Sequence, residues 1–114
     1  MKIINLTPHA INLVAADGTL IETFEPSGSI ARCQTVEIYL GKVNDHPIYK
    51  AGFGPIENLP EGEEDTIYLV SMPVGQALSG QRPDIYGPNT SPTPNGAVRD
   101  ADGKIIGTKS LVKY

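Results

Sequence analysis

Among the 114 residues, side chains able to do chemistry gather most densely between Thr66 and Tyr86. An apolar strand candidate (Thr66, Ile67, Tyr68, Leu69, Val70) leads into Ser71, placed to cap a short helix. The polar run Gln81, Arg82, Pro83, Asp84, Ile85, Tyr86 follows. A strand that passes through a hydroxyl cap into a helix leaves free backbone N–H groups beside a loop, and such a corner can receive an anion or a polar ligand. Arginine suits phosphate or carboxylate through its planar fork of donors. The chain has three arginines: Arg32 in a long strand candidate, Arg82 opening a proline-rich loop, and Arg99 ahead of a turn. A pocket uniting Arg32 and Arg82 with Ser71 and the first helical N–H groups would favour an anion. The alternative is local pairing of Arg82 with Asp84, and of Arg99 with Asp100 or Asp102. Tyr86 and Asn89 offer a stacking surface and amide hydrogen bonds, a combination that suits a nucleotide and equally suits anchoring of a loop.

Other chemistries find less material. His9 follows Pro8 between two strand candidates, where a backbone hydrogen bond can fix its ring or a ligand can meet it; His46 begins a strand after a polar turn and is expected at the surface. No HExxH, paired-cysteine or mixed acidic and histidine spacing supports a metal centre. The surroundings of Ser71 do not match Gly-x-Ser-x-Gly, and no histidine is coupled to it in sequence. With no matched acid, base or metal roles, the reading is a non-catalytic protein without a cofactor. Cys33, the lone cysteine, is expected as a small buried hydrophobe. The acidic run Glu61-Gly62-Glu63-Glu64-Asp65 reads as a solvated loop, since a calcium site needs a more ordered spacing of ligands.

These residues must be positioned by a small, strand-rich scaffold. The chain fits one domain, 1–114, whose core is small enough that homo-oligomerisation is an expected further source of stability. Lys2 to Leu6 and Ala10 to Ala15 read as extended. Asp17-Gly18 marks a hairpin turn into Thr19 to Phe24, and Pro26-Ser27-Gly28 leads to a long strand from Ser29 to Leu40. Neither face of that strand is wholly apolar in its first half, so a bulge near Cys33 and Gln34 is expected. A turn at Lys42 to Asp45 precedes His46 to Lys50, which Gly52-Phe53-Gly54-Pro55 should interrupt. Pro73 to Leu78 suits one or two helical turns ending at Gly80, with Val74, Ala77 and Leu78 inward. Residues 80–96, with Pro83, Pro88, Pro92 and Pro94, read as a long loop of the kind that binds ligands. A second Asp-Gly turn, Asp102-Gly103, joins Ala97 to Arg99 with Lys104 to Gly107. The fold class is mainly β, a β-rich α+β protein: a curved antiparallel or mixed sheet, or a small barrel, with one short helix and a long Pro-rich loop.

Nine Lys plus Arg against thirteen Asp plus Glu give a formal net charge of −4, which argues against nucleic acid as a partner. No window approaches the roughly 18 apolar residues of a membrane span. The N-terminus reaches a polar residue and a proline too early for a secretory signal. The expected setting is therefore the cytoplasm, with no membrane partner.

The opening Ile4-Asn5-Leu6-Thr7-Pro8-His9-Ala10-Ile11 resembles the signature of a family of small, largely uncharacterised bacterial and bacteriophage proteins. Pro26-Ser27-Gly28 with Ala31-Arg32, Tyr68-Leu69-Val70-Ser71 with Gln76-Ala77, Arg82-Pro83-Asp84, and Val98-Arg99-Asp100 are similar to features of the same family. The insert around Asn89 to Asn95 departs from it. The resemblance implies a phage or prophage origin and no established reaction. It points to the stretch from Ser71 to Asp84, including Gln76, together with His9 and Arg32. The function expected first is binding of a small anionic metabolite, a nucleotide or a nucleotide-derived immune signal held by a phage protein among the candidates. The second is a phage or bacterial protein–protein interaction or oligomerisation module.

Overall fold

The computed structural model describes residues 1–114. Strands β1 (Lys2–Asn5), β6 (Thr66–Leu69), β7 (Ile85–Pro88) and β10 (Leu111–Lys113) form one sheet in the order β1-β6-β7-β10. The pairs β1·β6 and β6·β7 are parallel, whereas β7·β10 is antiparallel. Adjacent parallel strands need a crossover, and helix α1 (Met72–Leu78) supplies the one between β6 and β7. The second sheet, β3-β2-β9-β8, joins two hairpins through the parallel contact of β2 (Ile11–Val14) with β9 (Ile105–Thr108). Its outer strands are β3 (Leu20–Phe24) and β8 (Ala97–Arg99). Both Asp-Gly turns form as expected, with Gly18 and Gly103 at φ of 88° and 81°. They flank the middle of one sheet.

The core follows from the alternation of β6. Tyr68 and Val70 face α1 and pack with Leu6, Ala31, Val74, Leu78 and Ile85, while Leu69 faces the other way to meet Ile11 and Phe24. A strand covered on both faces reads as a continuous apolar run, which is what the sequence presents at Thr66 to Val70. Residues 80–96 are not one loop, because β7 lies inside them and Ile85 is fully buried. Gly75 and Gly87 are needed where they stand. A Cβ at Gly75 would overlap the ring of Tyr114, and one at Gly87 would lie 3.0 Å from both that ring and the Val70 carbonyl oxygen.

The Asn5 signature is structural. The buried Asn5 amide donates to the carbonyls of His9 (2.8 Å) and Phe24 (2.9 Å), and its Oδ1 accepts from the Thr7 N–H (2.9 Å) and hydroxyl (2.7 Å). An asparagine turn of this kind fixes the chain between β1 and β2 with every polar group of the side chain partnered.

The third sheet stands apart. β4 (Arg32–Val43) and β5 (His46–Glu57) pair only with each other, through an Asn44-Asp45 turn whose φ values of 49° and 64° suit a two-residue hairpin. β4 begins and ends three residues later than the Ser29 to Leu40 reading. The irregularity expected near Cys33 and Gln34 is present, and β5 carries the extra residue, at Gly54-Pro55. β5 therefore runs through Gly52 to Pro55 without interruption, because a bulge on a strand with a free edge accommodates proline without loss of a ladder bond. This hairpin gives the molecule its length. The radius of gyration is 16.7 Å with extents of 52 × 39 × 23 Å, against about 13 Å for a compact chain of ~100 residues.

Candidate functional site

The residues singled out in sequence are spread over separate places. Arg82 donates from Nε to Asp84 Oδ1 (2.9 Å), from Nη2 to Asp84 Oδ2 (2.7 Å) and from Nη1 to the Pro60 carbonyl (2.9 Å). Its guanidinium also lies 5.7 Å from the ring centroid of Tyr68. This is the local pairing, made bidentate through Nε and Nη2, with Nη1 turned to the loop carbonyl. The ion pair holds the Asp84 carboxyl below its ordinary range through the Arg82 hydrogen bonds, and raises Arg82 through the same bonds. The Tyr68 hydroxyl is pushed up first by burial, then by Glu63 and Asp84, and it donates to the Glu61 carbonyl (3.1 Å). Arg82, Asp84 and Tyr68 together pin the acidic loop, whose residues Glu61 to Asp65 are exposed, to the β6-α1-β7 unit.

Ser71 occupies the cap position of α1, but its side chain makes no capping hydrogen bond. The helix has seven residues, so its dipole is small. Gln76 is exposed on α1 and shares a shallow cleft of about 330 Å³ with Asn89, Met72 and Tyr114. Asn89 organises its own turn. It donates to Ser110 Oγ (3.1 Å) and to the Asn95 carbonyl (3.3 Å), and accepts from the Ser91 hydroxyl (2.7 Å). Tyr86 lies on β7, packed against the Leu69 cluster, and not on a loop.

His9 is exposed, and it is its backbone carbonyl, not its ring, that the Asn5 turn binds. It lines a different cleft of about 410 Å³ with Ile11, Asn12, Thr90 and Ile106. Arg32 is exposed at the base of β4, opposite Glu57. Arg99 donates to the Gly103 carbonyl (2.7 Å) and not to an aspartate. His46 is exposed at the start of β5, as expected. Cys33 is partly buried beside the core, its thiol donating weakly to the Gly54 carbonyl. Every buried side-chain nitrogen and oxygen has a hydrogen-bond partner.

What the sequence reading missed is the surface of the hairpin. Counting along β5, which is regular between His46 and Phe53, the register places Val36, Ile38, Val43 and Ile48 on one face, together with His46 and Lys50. A Cβ at Gly52 would sit 3.1 Å from Val36 and 3.6 Å from Ile38, so both lean over that face. The other face carries Thr35, Glu37, Tyr39, Lys42, Tyr49 and Phe53, with the two tyrosine rings edge-to-face at 5.5 Å. Leu40 is the extra residue of a second bulge between Tyr39 and Gly41. Ile38 is 50% exposed, Leu40 62% and Tyr39 54%. The signal for this surface was the alternation Val36, Ile38, Leu40, but the sequence did not disclose that nothing in the same chain covers it.

No family model matches the chain, no curated protein is similar to it, and no solved structure matches its fold. The residues of the bacterial and phage resemblance consequently take their roles here from geometry alone. No helix is long and apolar enough to cross a membrane.

Proposed function

We propose that the protein is a non-catalytic assembly module that associates with copies of itself through the β4–β5 arm, the two-sheet body serving as its mount. The observation that carries this reading is the arm's exposed apolar surface: Val36, Ile38, Tyr39, Leu40, Val43, Ile48, Tyr49 and Phe53 are all open to solvent. An isolated two-stranded ribbon is marginal in water, and three or more strands with a covered apolar face are needed for independent stability. These side chains divide between the two faces of the arm, Val36, Ile38, Val43 and Ile48 on one and Tyr39, Tyr49 and Phe53 on the other, so each face offers an apolar patch of its own. The small-anion reading has less support, since the nitrogens of Arg82 are engaged by Asp84 and Pro60 and the remaining candidates line different clefts.

The test compares the full chain with its Val36→Ser/Ile38→Ser/Leu40→Ser variant by light scattering and by thermal melts over a concentration series. The wild type should be oligomeric with a melting temperature that rises with concentration. The variant should be a folded monomer whose melting temperature does not. A wild type that is monomeric at every concentration contradicts the proposal.

A further inference from the structure

Resting on that reading, we infer that the interface is the free edge of β4, paired antiparallel with the same edge of a second copy about a two-fold axis, so that Glu37 of each chain lies opposite Lys42 of the other.

Three observations on the arm lead there. First, the two edges differ. β5 lacks N–H donors at Pro47 and Pro55, whereas β4 has no proline between Arg32 and Val43 and keeps every backbone donor. Second, backbone groups on that edge are available at matched places. In an antiparallel ladder, hydrogen-bonded and non-hydrogen-bonded pairs alternate, so pairs on one face are of one kind. Lys42 stands opposite Pro47, which has no N–H to exchange, and Glu37 stands opposite Ala51 on the same face. Both Lys42 and Glu37 therefore turn their own N–H and C=O outward, which is the requirement for a hydrogen-bonded pair across a new strand junction. Third, the bulge at Tyr39 to Gly41 corrects the parity. Residues five apart on a regular strand face opposite ways, but the extra residue puts Glu37 and Lys42 on one face. A two-fold register that pairs them also sets Val36 opposite Val43 of the second copy, and Ile38 opposite Gly41.

Charge agrees with this choice of surface. Residues 32–57 contain Arg32, Lys42 and Lys50 against Glu37, Asp45 and Glu57, and so are neutral in a chain of net charge −4. Two acidic bodies repel, while the arms can approach, and the register turns one charge of each sign into two cross-strand pairs. The product is a four-stranded sheet in the order β5-β4-β4-β5. Its aliphatic face is doubled in width, and two such dimers can stack there at the usual spacing of about 10 Å. Edge pairing alone leaves that face open, and stacking of such dimers covers it, so the assembly has an even number of chains.

The experiment is a charge swap on the full chain, read by analytical ultracentrifugation. Glu37→Lys and Lys42→Glu each convert two attractive cross-strand pairs into two repulsive ones and should weaken association about tenfold. The double variant Glu37→Lys/Lys42→Glu restores both pairs and should return to within about threefold of wild type. If the single swaps leave association unchanged, or the double variant is weaker than either, the register is wrong. The arm reading would still stand in that case, provided the Val36→Ser/Ile38→Ser/Leu40→Ser variant is monomeric. An odd subunit number overturns the two-fold edge. A monomeric wild type, or a serine variant that associates like wild type, overturns the arm reading and the register with it.

Discussion

Replacing Gly75 by alanine sets two physical effects against each other within one methyl group. By helix propensity alone the change should stabilise α1 by as much as about 1 kcal/mol. Gly75 is buried, however, and the new Cβ would fall within the ring of Tyr114, against its Cε2, Cδ2 and Cζ atoms. Tyr114 cannot move aside freely, for its ring also lies against Gly87 and its backbone N–H donates to the Ile85 carbonyl at 3.0 Å. Overpacking of this kind costs about 1–3 kcal/mol, which outweighs the propensity gain. The net expectation is a loss of as much as about 2 kcal/mol, or a fall in melting temperature of up to about 8 °C for a chain of this size. The sign reverses once the ring is removed. In a Tyr114→Ala background, Gly75→Ala should be neutral or stabilising, so that the cycle of four proteins gives a coupling above about 1 kcal/mol. Thermal melts of the four variants at one concentration measure it. A higher melting temperature for Gly75→Ala in the wild-type background would refute the packing of Tyr114 on α1.

The Arg82–Asp84 pair and the Asn5 turn give further outcomes. Arg82→Ala should cost about 1.5–3 kcal/mol in denaturant titration, because it leaves the buried Asp84 carboxylate without its bidentate partner. Since the folded Asp84 carboxyl titrates below its ordinary value, its contribution is present above about pH 4 and is lost as pH falls through the folded value. The Asp84→Asn variant should accordingly lose less stability than wild type on acidification from about pH 5 to 2. Asn5→Ala should cost about 3 kcal/mol by removing the partners of Thr7, His9 and Phe24 at once. Asn5→Asp should not rescue it, since a carboxylate keeps the bonds from Thr7 and cannot donate to either carbonyl.

Local chemistry was legible wherever one residue pair decides the backbone. Asp17-Gly18 and Asp102-Gly103 announce their hairpins, the apolar run at β6 announces a doubly covered strand, and α1 falls within one residue of its expected start. Strand β7 was hidden by Pro83 and Pro88, which suggested a loop; Pro83 lies before the strand and Pro88 is its last residue, so neither interrupts the ladder. The candidate site residues take separate places for a related reason. Arg82, Asp84 and Tyr86 look like ligand groups when read in a row, but β7 turns Tyr86 into the packing around Leu69, and the two-residue spacing lets Arg82 close on Asp84. Asn5 and Asn89 carry equal polarity in sequence, and both are consumed by turns. The arm could be anticipated as a strand with a bulge near Cys33, but its projection depends on the absence of a third strand beside β4 or β5, and no local pattern reports that.

The central claim is that the β4–β5 arm exists to be covered by another copy. Sedimentation equilibrium of the full chain beside its Val36→Ser/Ile38→Ser/Leu40→Ser variant tests it most directly. The account predicts an even-numbered oligomer for the wild type and a folded monomer for the variant. A wild type that sediments as a monomer at every concentration, or a variant that associates as the wild type does, would contradict it.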